Sequence, residues 1–136
     1  MNKMPIEIVT PERKVYANEA NLIIARGGDG DLGIMAGHTP LVTTLKISTL
    51  RVKTDQGEDV ISVAGGFLEV KPEKVSVLAE AAELPEEIDV DRATRAKERA
   101  ERRLADRGES FDQVRAEIAL ERAINRLRVA TNKNHR

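Results

Sequence analysis

The sequence predicts an N-terminal antiparallel β-sandwich followed by a C-terminal α-helical hairpin, and three observations support this fold class. Eight of the nine glycines come before Phe67, and all five prolines lie at or before Pro85. The same part of the chain contains short, β-branched runs separated by turn residues, which is typical of a sandwich. From Ile88 onward, apolar residues recur every three or four positions, as in amphipathic helices. The predicted units are residues 1–84 and residues 88–136.

Eight to ten short strands are expected within residues 1–84. The turn sequences TPER, GGDGD, DQGE and Pro72-Glu73 are rich in residues that favour tight turns, and they separate the apolar runs. The clearest runs are IEIV (6–9), NLIIAR (21–26), LRVKT (50–54), DVISVAG (59–65), FLEVK (67–71) and KVSVLAE (74–80).

The first predicted helix begins just after Asp89 and has about 18 residues, within the common range for helices. Asp89 can cap its N-terminus, and Asp91 adds a charge that the helix dipole favours there. Gly108 is expected to end it. The apolar stripe of this helix consists of Val90, Ala93, Ala96, Ala100 and Leu104.

The second predicted helix begins at Ser110, which forms a capping box with Gln113, and has about 21 residues. Its apolar stripe consists of Ala116, Leu120, Ala123, Leu127 and Ala130, with Ile124 beside them. The facing stripes are largely alanine, so the hairpin buries little apolar area of its own. We therefore expect the hairpin to need docking on another surface, which is a first indication of a conformational switch.

Composition and motifs argue against an enzyme. The chain has no cysteine, which excludes disulfides and thiol catalysis. His38 lacks the partners of a catalytic triad or a zinc site, although it could lie on a docking surface. The glycine-rich segment 27–40 has no phosphate-loop motif. No apolar run is long enough to span a bilayer, so we expect a cytosolic protein without membrane insertion and without a bound metal.

Charge is divided unequally along the chain. Residues 1–85 contain nine Lys and Arg against twelve Asp and Glu, a net charge of −3, whereas residues 92–136 contain thirteen against seven, a net charge of +6. The helical arginines could form a solvated face, bind nucleic acid, or hold a smaller anion between the helices. Interleaved carboxylates and an aromatic content of 2% count against nucleic acid.

Several stretches together resemble the epsilon subunit of the bacterial F-type ATP synthase. They are GDGDLGIMAGHTPLVTTL, VAGGFLEVKPEKVSVLAEAAE, IDVDRA and AEIALERAINRLRV. The resemblance runs from about Ile6 to Ala130. It implies a non-catalytic subunit of the rotating central stalk, bound peripherally at the cytoplasmic face of the cell membrane. Its sandwich would bind the gamma subunit and the c-ring, through Asp31 and His38.

The resemblance also implies a regulatory role for the hairpin. Extended, the hairpin would enter the alpha/beta catalytic head, reach an acidic surface of beta and inhibit ATP hydrolysis. Folded against the sandwich, it would release that inhibition. Which of the two arrangements dominates at rest stays open.

In bacillus-like members of this family, the motif [IL]-D-x-x-R-A marks an ATP site that holds the folded hairpin. By similarity, Glu83 and Asp89 would face the nucleoside, and Ile88 and Ala93 would line the base. The phosphates would be surrounded by Arg92, Arg99, Arg122 and Arg126. ATP is thus expected as a regulatory ligand, and the Mg²⁺ requirement stays open.

Overall fold

A computed structural model of the chain describes residues 2–106 and 112–131. Its N-terminal part contains eight strands, which agrees with the predicted eight to ten. The strands are β1 (Met4–Val9), β2 (Lys14–Ala20), β3 (Leu22–Gly27), β4 (Gly30–Ile34), β5 (Leu41–Thr54), β6 (Gly57–Val70), β7 (Val75–Ala79) and β8 (Ala82–Glu83).

The long strands β5 and β6 connect the two layers of the sandwich. They pair from Leu41–Val70 at one end to Thr54–Gly57 at the turn. One half of β6 pairs with β7, and the sheet continues from β7 through β1 to β2. The other half of β6 pairs with β8. On the far side of β5 the order continues through β3 to β4. The predicted sandwich is therefore confirmed, with one departure: β1 and β7 are parallel.

Two glycines make the length of β6 possible. Gly65 and Gly66 have φ angles of +92° and +132°, which favour glycine. A Cβ atom on Gly66 would lie 2.2 Å from the carbonyl oxygen of Leu78. The sequence suggested a break between two strands here, and this was wrong. Without side chains, the pair lets β6 pass close to β7 and continue as one strand.

The core of the sandwich lies between its layers and consists of branched aliphatic side chains. Alternation along the strands directs these side chains inward, because successive residues of a strand point to opposite faces. The largest completely buried members are Ile6, Ile8, Ile23, Ile34, Leu50, Val52, Ile61, Val63, Leu68, Val75 and Val77.

The C-terminal part forms the predicted pair of helices, α1 (Val90–Ala105) and α2 (Gln113–Thr131). They pack against each other through small side chains, with Ala93, Ala100, Ala116 and Ala123 buried. Val90 was expected in the packed stripe, but it is 49% exposed. It occupies the first turn of α1, where the helix has only begun.

The helices are folded onto the sandwich in this structure. Residues of α2 contact β5, β6 and a short 3₁₀ turn at Pro85–Glu87. This is the folded one of the two arrangements that the sequence left open. The surface of β5 and β6 that faces α2 is therefore the interface between the sandwich and the helices.

Candidate functional site between the sandwich and the helices

The start of α1 is fixed by the predicted cap. The carboxylate of Asp89 accepts a hydrogen bond from the backbone N–H of Arg92 at 3.0 Å. Such a cap satisfies one of the free N–H groups of the first helical turn. The side chains of Asp89 and Arg92 are themselves exposed, and Ala93 is completely buried.

The cap of α2 differs from the predicted one. Ser110 and Gly108 lie outside the described residues. The described helix begins at Gln113, and Asp112 caps it, because its carboxylate accepts a hydrogen bond from the N–H of Arg115 at 3.1 Å. Aspartate serves here as well as serine would, since both offer a side-chain oxygen to the first turn.

A small apolar cluster joins the end of α2 to the sandwich. Val129 and Ala130 of α2 pack with Ile88, which precedes α1, and with Val60 of β6. All four are buried, and Val129 is completely so. Ile88 therefore lies in the docking contact between α2 and β6.

Two ion pairs connect α2 to the edge of the sandwich. Arg126 donates two hydrogen bonds to the carboxylate of Glu83, at 2.6 and 3.0 Å. One turn earlier, Arg122 lies 3.6 Å from the carboxylate of Glu80. Both arginines thus form ion pairs with residues of the sandwich.

A cavity of about 510 Å³ lies beside these ion pairs, between the helices and the sandwich. Its lining combines alanine from both helices with the charged groups of the two pairs. Among the residues that line it are Glu80, Glu83, Ala96, Ala119, Arg122 and Arg126.

Three residues of the predicted ATP site, Glu83, Arg122 and Arg126, line this cavity. Arg92 and Arg99 are exposed on α1, one turn before and one turn after Ala96, which lines the cavity. Residues spaced in this way share one face of a helix. Arg122 and Arg126 thus line the cavity, whereas Arg92 and Arg99 lie on the face of α1 that carries Ala96.

The remaining predicted residues are more dispersed. Ile88 lies in the apolar cluster under the end of α2, and Ala93 lies within the packing of α1. Arg99 also borders a surface groove formed by the basic residues Arg102 and Arg103 near the end of α1. The structure does not draw all eight residues into the walls of a single cavity.

The predicted docking residues of the sandwich lie at opposite ends of β4. Asp31 is exposed at its start, where Arg26 lies 3.2 Å from its carboxylate. His38 lies in the loop after β4, and its Nδ1 is 2.7 Å from the carbonyl oxygen of Thr39.

Sequence reasoning missed an apolar patch on the outer face of the sandwich. Phe67 of β6 pairs with Leu78 of β7, and both side chains are 53% exposed, with Val42 of β5 at 65% nearby on the same sheet. Large apolar groups exposed together on a sheet are typical of an interaction surface. Alternation of FLEV and VSVLA could have revealed it, since each run puts apolar residues on both faces.

Sequence reasoning also missed Asn125. This residue lies on α2 between Arg122 and Val129, is only 3% exposed, and forms hydrogen bonds with β5 and β6. Its spacing of one turn from the apolar Val129 was the available signal, and no role was predicted for it from the sequence.

An ion pair also affects the charge state of the 3₁₀ turn at Pro85–Glu87 between the sandwich and α1, which we call the hinge. Arg13, in the turn between β1 and β2, donates a hydrogen bond to the carboxylate of Glu87 at 3.0 Å. This guanidinium holds the pKa of Glu87 below its ordinary value. The N–H of Leu84 donates to the same carboxylate. The pair therefore connects the 3₁₀ turn to the sandwich.

The described parts of the chain contain no cluster of side chains suited to a metal ion, and no helix there is long and apolar enough to cross a membrane.

Comparison with known proteins gives matches over nearly the whole chain. Residues 3–85 match the β-sandwich domain of the ATP synthase delta/epsilon chain, and residues 86–131 match the long α-helix domain of the same chain. An ATP synthase epsilon chain from Desulforamulus reducens is 50% identical, covering 92% of this chain and 95% of that protein. One from Bacillus velezensis is 48% identical, covering 97% and 100%.

Solved structures show the same fold. A chain in the Euglena gracilis mitochondrial ATP synthase, in a structure of OSCP, F1 and c-ring, superposes with a TM-score of 0.75 at 25% identity, covering 88% of this chain and 76% of that one. A chain from the central stalk and c-ring structure of the Tetrahymena thermophila mitochondrial ATP synthase gives 0.57 at 14% identity, covering 96% of each. The second likeness concerns the fold alone.

Proposed function

The chain belongs to the ATP synthase delta/epsilon chain family, and we propose from this membership that it is the epsilon subunit of an F-type ATP synthase. In this role it is a regulatory, non-catalytic part of the central stalk. Its near-complete coverage of epsilon chains that are about half identical supports this assignment. It acts at the cytoplasmic face of the cell membrane, as a peripheral subunit of the enzyme.

The sandwich is the docking unit of this proposal. Its gamma-subunit and c-ring contacts involve Asp31 and His38, and the exposed patch of Val42, Phe67 and Leu78 offers the apolar area that a stable protein interface needs. The apolar patch stays accessible while the helices are folded, because α2 contacts β5 and β6 elsewhere, at Ser48, Val60 and Ser62.

The helices are the regulatory unit. The observation that carries this part of the proposal is the cavity between the helices and the sandwich, which is lined by Arg122 and Arg126 of α2 and by Ala96 of α1. Arg92 and Arg99 share the helix face of Ala96. A triphosphate needs several cations that converge from different elements, and guanidinium groups provide charge-assisted hydrogen bonds to phosphate oxygens. ATP is the ligand we propose for this site, with Glu83 and Asp89 toward the nucleoside.

The ion pairs at the cavity set the conditions for binding. Arg122 and Arg126 pair with Glu80 and Glu83, so the phosphates must exchange one set of anions for another. At a concentration about 100-fold above its Kd, ATP would stabilise the folded hairpin by about 2.7 kcal/mol. This is enough to shift a nearly balanced equilibrium between folded and extended helices, and too little to shift a strongly biased one.

Inhibition is the consequence of the extended state. Released from the sandwich, the helices would present a surface with a net positive charge to acidic groups of the catalytic head. Residues 121–136 alone carry five basic side chains and one acidic side chain. Electrostatic complementarity of this kind speeds association and fixes orientation.

Calorimetry of the isolated chain tests the ATP site. We expect saturable one-to-one binding, weakened at least tenfold in Arg92→Ala because one phosphate contact is lost. Arg51→Ala is the matched control, since Arg51 forms a bidentate pair within the sandwich and should leave binding unchanged. Titrations with EDTA and with Mg²⁺ determine whether the metal is required. Absence of binding at millimolar ATP, or steeply salt-dependent binding of duplex DNA instead, would contradict the proposal.

Truncation tests the inhibitory role. Removing residues 89–136 should raise ATP hydrolysis by the assembled ATP synthase, because the extending segment is gone while the sandwich remains. Hydrolysis that stays as low as in the intact enzyme would show that the helices do not inhibit it.

A further inference from the structure

The side chain of Asn125 is the one polar group among the buried residues of α2, and the sandwich satisfies it. Its Nδ2 donates hydrogen bonds to the carbonyl oxygen of Ser48 at 2.8 Å and to the hydroxyl of Ser62 at 3.2 Å. Its Oδ1 accepts one from the hydroxyl of Thr49 at 3.2 Å. Both amide protons and the amide oxygen are thus engaged by β5 and β6.

The three partners form a site that exists before α2 arrives. Thr49 and Ser62 are paired neighbours across the β5–β6 ladder, and Ser48 is adjacent to Thr49. Their positions are fixed by the ladder hydrogen bonds of two 14-residue strands. A helix that docks here meets one carbonyl oxygen and two hydroxyl groups in a rigid arrangement.

Only one register of α2 satisfies this site. Sliding the helix by one turn, about 5.4 Å, would replace Asn125 with a residue four positions away. One direction brings Glu121 to the site, which would bury a carboxylate beside a carbonyl oxygen. The other brings Val129, which would leave the two hydroxyl groups and the carbonyl without partners. Either costs far more than a matched carboxamide, because unsatisfied buried polar groups and charges are strongly unfavourable.

We propose that Asn125 is the positioning residue that fixes the register of α2 on the sandwich and holds the helices folded when no nucleotide is bound. The apolar contacts of Val129 and the ion pairs of Arg122 and Arg126 favour docking, but they are less directional than three hydrogen bonds to fixed groups. Asn125 selects the correct position of α2, and each of its hydrogen bonds adds a modest net stability, because bonds to water replace them when α2 leaves. The role rests on the proposed function only in that the helices leave the sandwich in the assembled enzyme.

Distance measurement between two spin labels tests the proposal in the full-length chain. The chain has no cysteine, so Glu73→Cys in the exposed β6–β7 turn and Val114→Cys on the exposed face of α2 would carry the only labels. Without nucleotide, we expect one narrow distance. Asn125→Asp should reduce the population at that distance relative to other distances by about tenfold or more, because a carboxylate would face the carbonyl of Ser48.

Gln113→Glu is the matched control, since it makes the same amide-to-carboxylate change on an exposed part of α2. It should leave the narrow distance unchanged. Thermal unfolding of each variant shows whether the sandwich is intact, so that loss of docking is not confused with loss of the fold. An Asn125→Asp chain with the unaltered narrow distance would overturn the proposal, and so would a wild-type chain that lacks that distance without nucleotide.

A milder variant on the sandwich side gives an independent result. Ser62→Ala should lower the ratio of folded to extended helices by roughly fivefold, as expected for one neutral hydrogen bond. In an Asn125→Ala background, the same substitution should have almost no further effect. Fully additive effects of the two substitutions would show that these side chains do not act together, and would also overturn the proposal.

Adding ATP to the same labelled chains separates this inference from the proposed ATP sensing. A wild-type chain that is indifferent to ATP, yet loses its narrow distance in Asn125→Asp, would refute the nucleotide sensor and support the role of Asn125. A chain that responds to ATP, but in which Asn125→Asp retains the ligand-free distance, would refute the role of Asn125 alone.

Discussion

The sandwich and the helical hairpin are stabilised by different means. The sandwich encloses completely buried isoleucine, leucine and valine side chains, each of which contributes about 1.5–3 kcal/mol. The hairpin packs mainly through alanine and is fixed to the sandwich by Asn125, two ion pairs and a small apolar cluster. One region holds its own structure, whereas the other depends on the surface beneath it.

This difference is what a switch within one short chain requires. A segment can leave its position only if leaving costs a few kcal/mol, and regions that move are generally drawn from the least stable part of a structure. The docking partner must meanwhile stay unchanged, so that the segment can return. The predictions that follow test this division, from the largest expected effect to the smallest.

The largest effect is expected at Gly66. Gly66→Ala should lower the free energy of unfolding of the sandwich by about 4 kcal/mol or more, because the new methyl group would collide with the backbone of β7 at a strained φ. Gly30→Ala is the matched control: its φ is +130°, but an added Cβ meets nothing within 4 Å. It should cost about 1–3 kcal/mol. Urea unfolding measures both, and equal losses would contradict the role of close packing at β7.

A pair of core truncations compares the two regions directly. Ile61→Ala should destabilise the sandwich by about 2–5 kcal/mol, since Ile61 is completely buried between the layers. Val129→Ala should weaken docking of α2 by about 2 kcal/mol. Amide hydrogen exchange distinguishes them: the first should accelerate exchange throughout, the second only in the helices. Uniform acceleration in Val129→Ala would show that the regions unfold as one unit.

The bidentate ion pair should contribute less. Glu83→Gln removes one partner of the half-buried Arg126–Glu83 pair and should accelerate exchange in α2 by an amount equivalent to about 1 kcal/mol. The effect should shrink at high salt, because exposed charges are screened. Glu58→Gln makes the same change within the sandwich, next to Arg51. If it loosened α2 equally, the specific role of Glu83 would be disproved.

The smallest effect concerns acid sensitivity at the hinge. Because Arg13 holds the pKa of Glu87 below its ordinary value of 4.5, the Arg13–Glu87 pair stabilises the fold above that value and loses this contribution as the pH falls through the lowered pKa. At pH 7 the free energy of unfolding of the wild type should exceed that of Glu87→Gln by about 0.5 kcal/mol. Thermal unfolding near pH 3 should show a smaller difference in stability between the two chains. An unchanged difference would refute the stabilising role of the Arg13–Glu87 pair.

Local sequence signals predicted much of this fold. Asp89 was recognised as a cap because capping depends on a few neighbouring residues, and the shift from strands to helices was visible in periodicity. The length of β6 was not predicted, since a pair of glycines such as Gly65 and Gly66 is equally compatible in sequence with a turn and with a tightly packed strand. Their role depends on the backbone of β7, which only the folded chain brings near.

The candidate site was predictable in part, for a related reason. Glu83, Arg122 and Arg126 were named from the family resemblance, and they do line one cavity. Asn125 and Glu80 were missed because their partners lie 40 or more positions away in sequence. A buried amide and a solvated amide have the same helical spacing, so only the surface beneath the helix distinguishes them.

The parallel pairing of β1 with β7 constrains the order in which the sheet can form during synthesis. β1 is synthesised first, yet its partner residues, 75–78, come almost seventy positions later. A contact so distant in sequence forms slowly, and chains fold as they emerge from the ribosome. The sheet can close only after β7 has emerged, while the helices are still being made. Chain order alone therefore places every strand of the sheet ahead of α2 in synthesis, including β5 and β6, on which α2 docks.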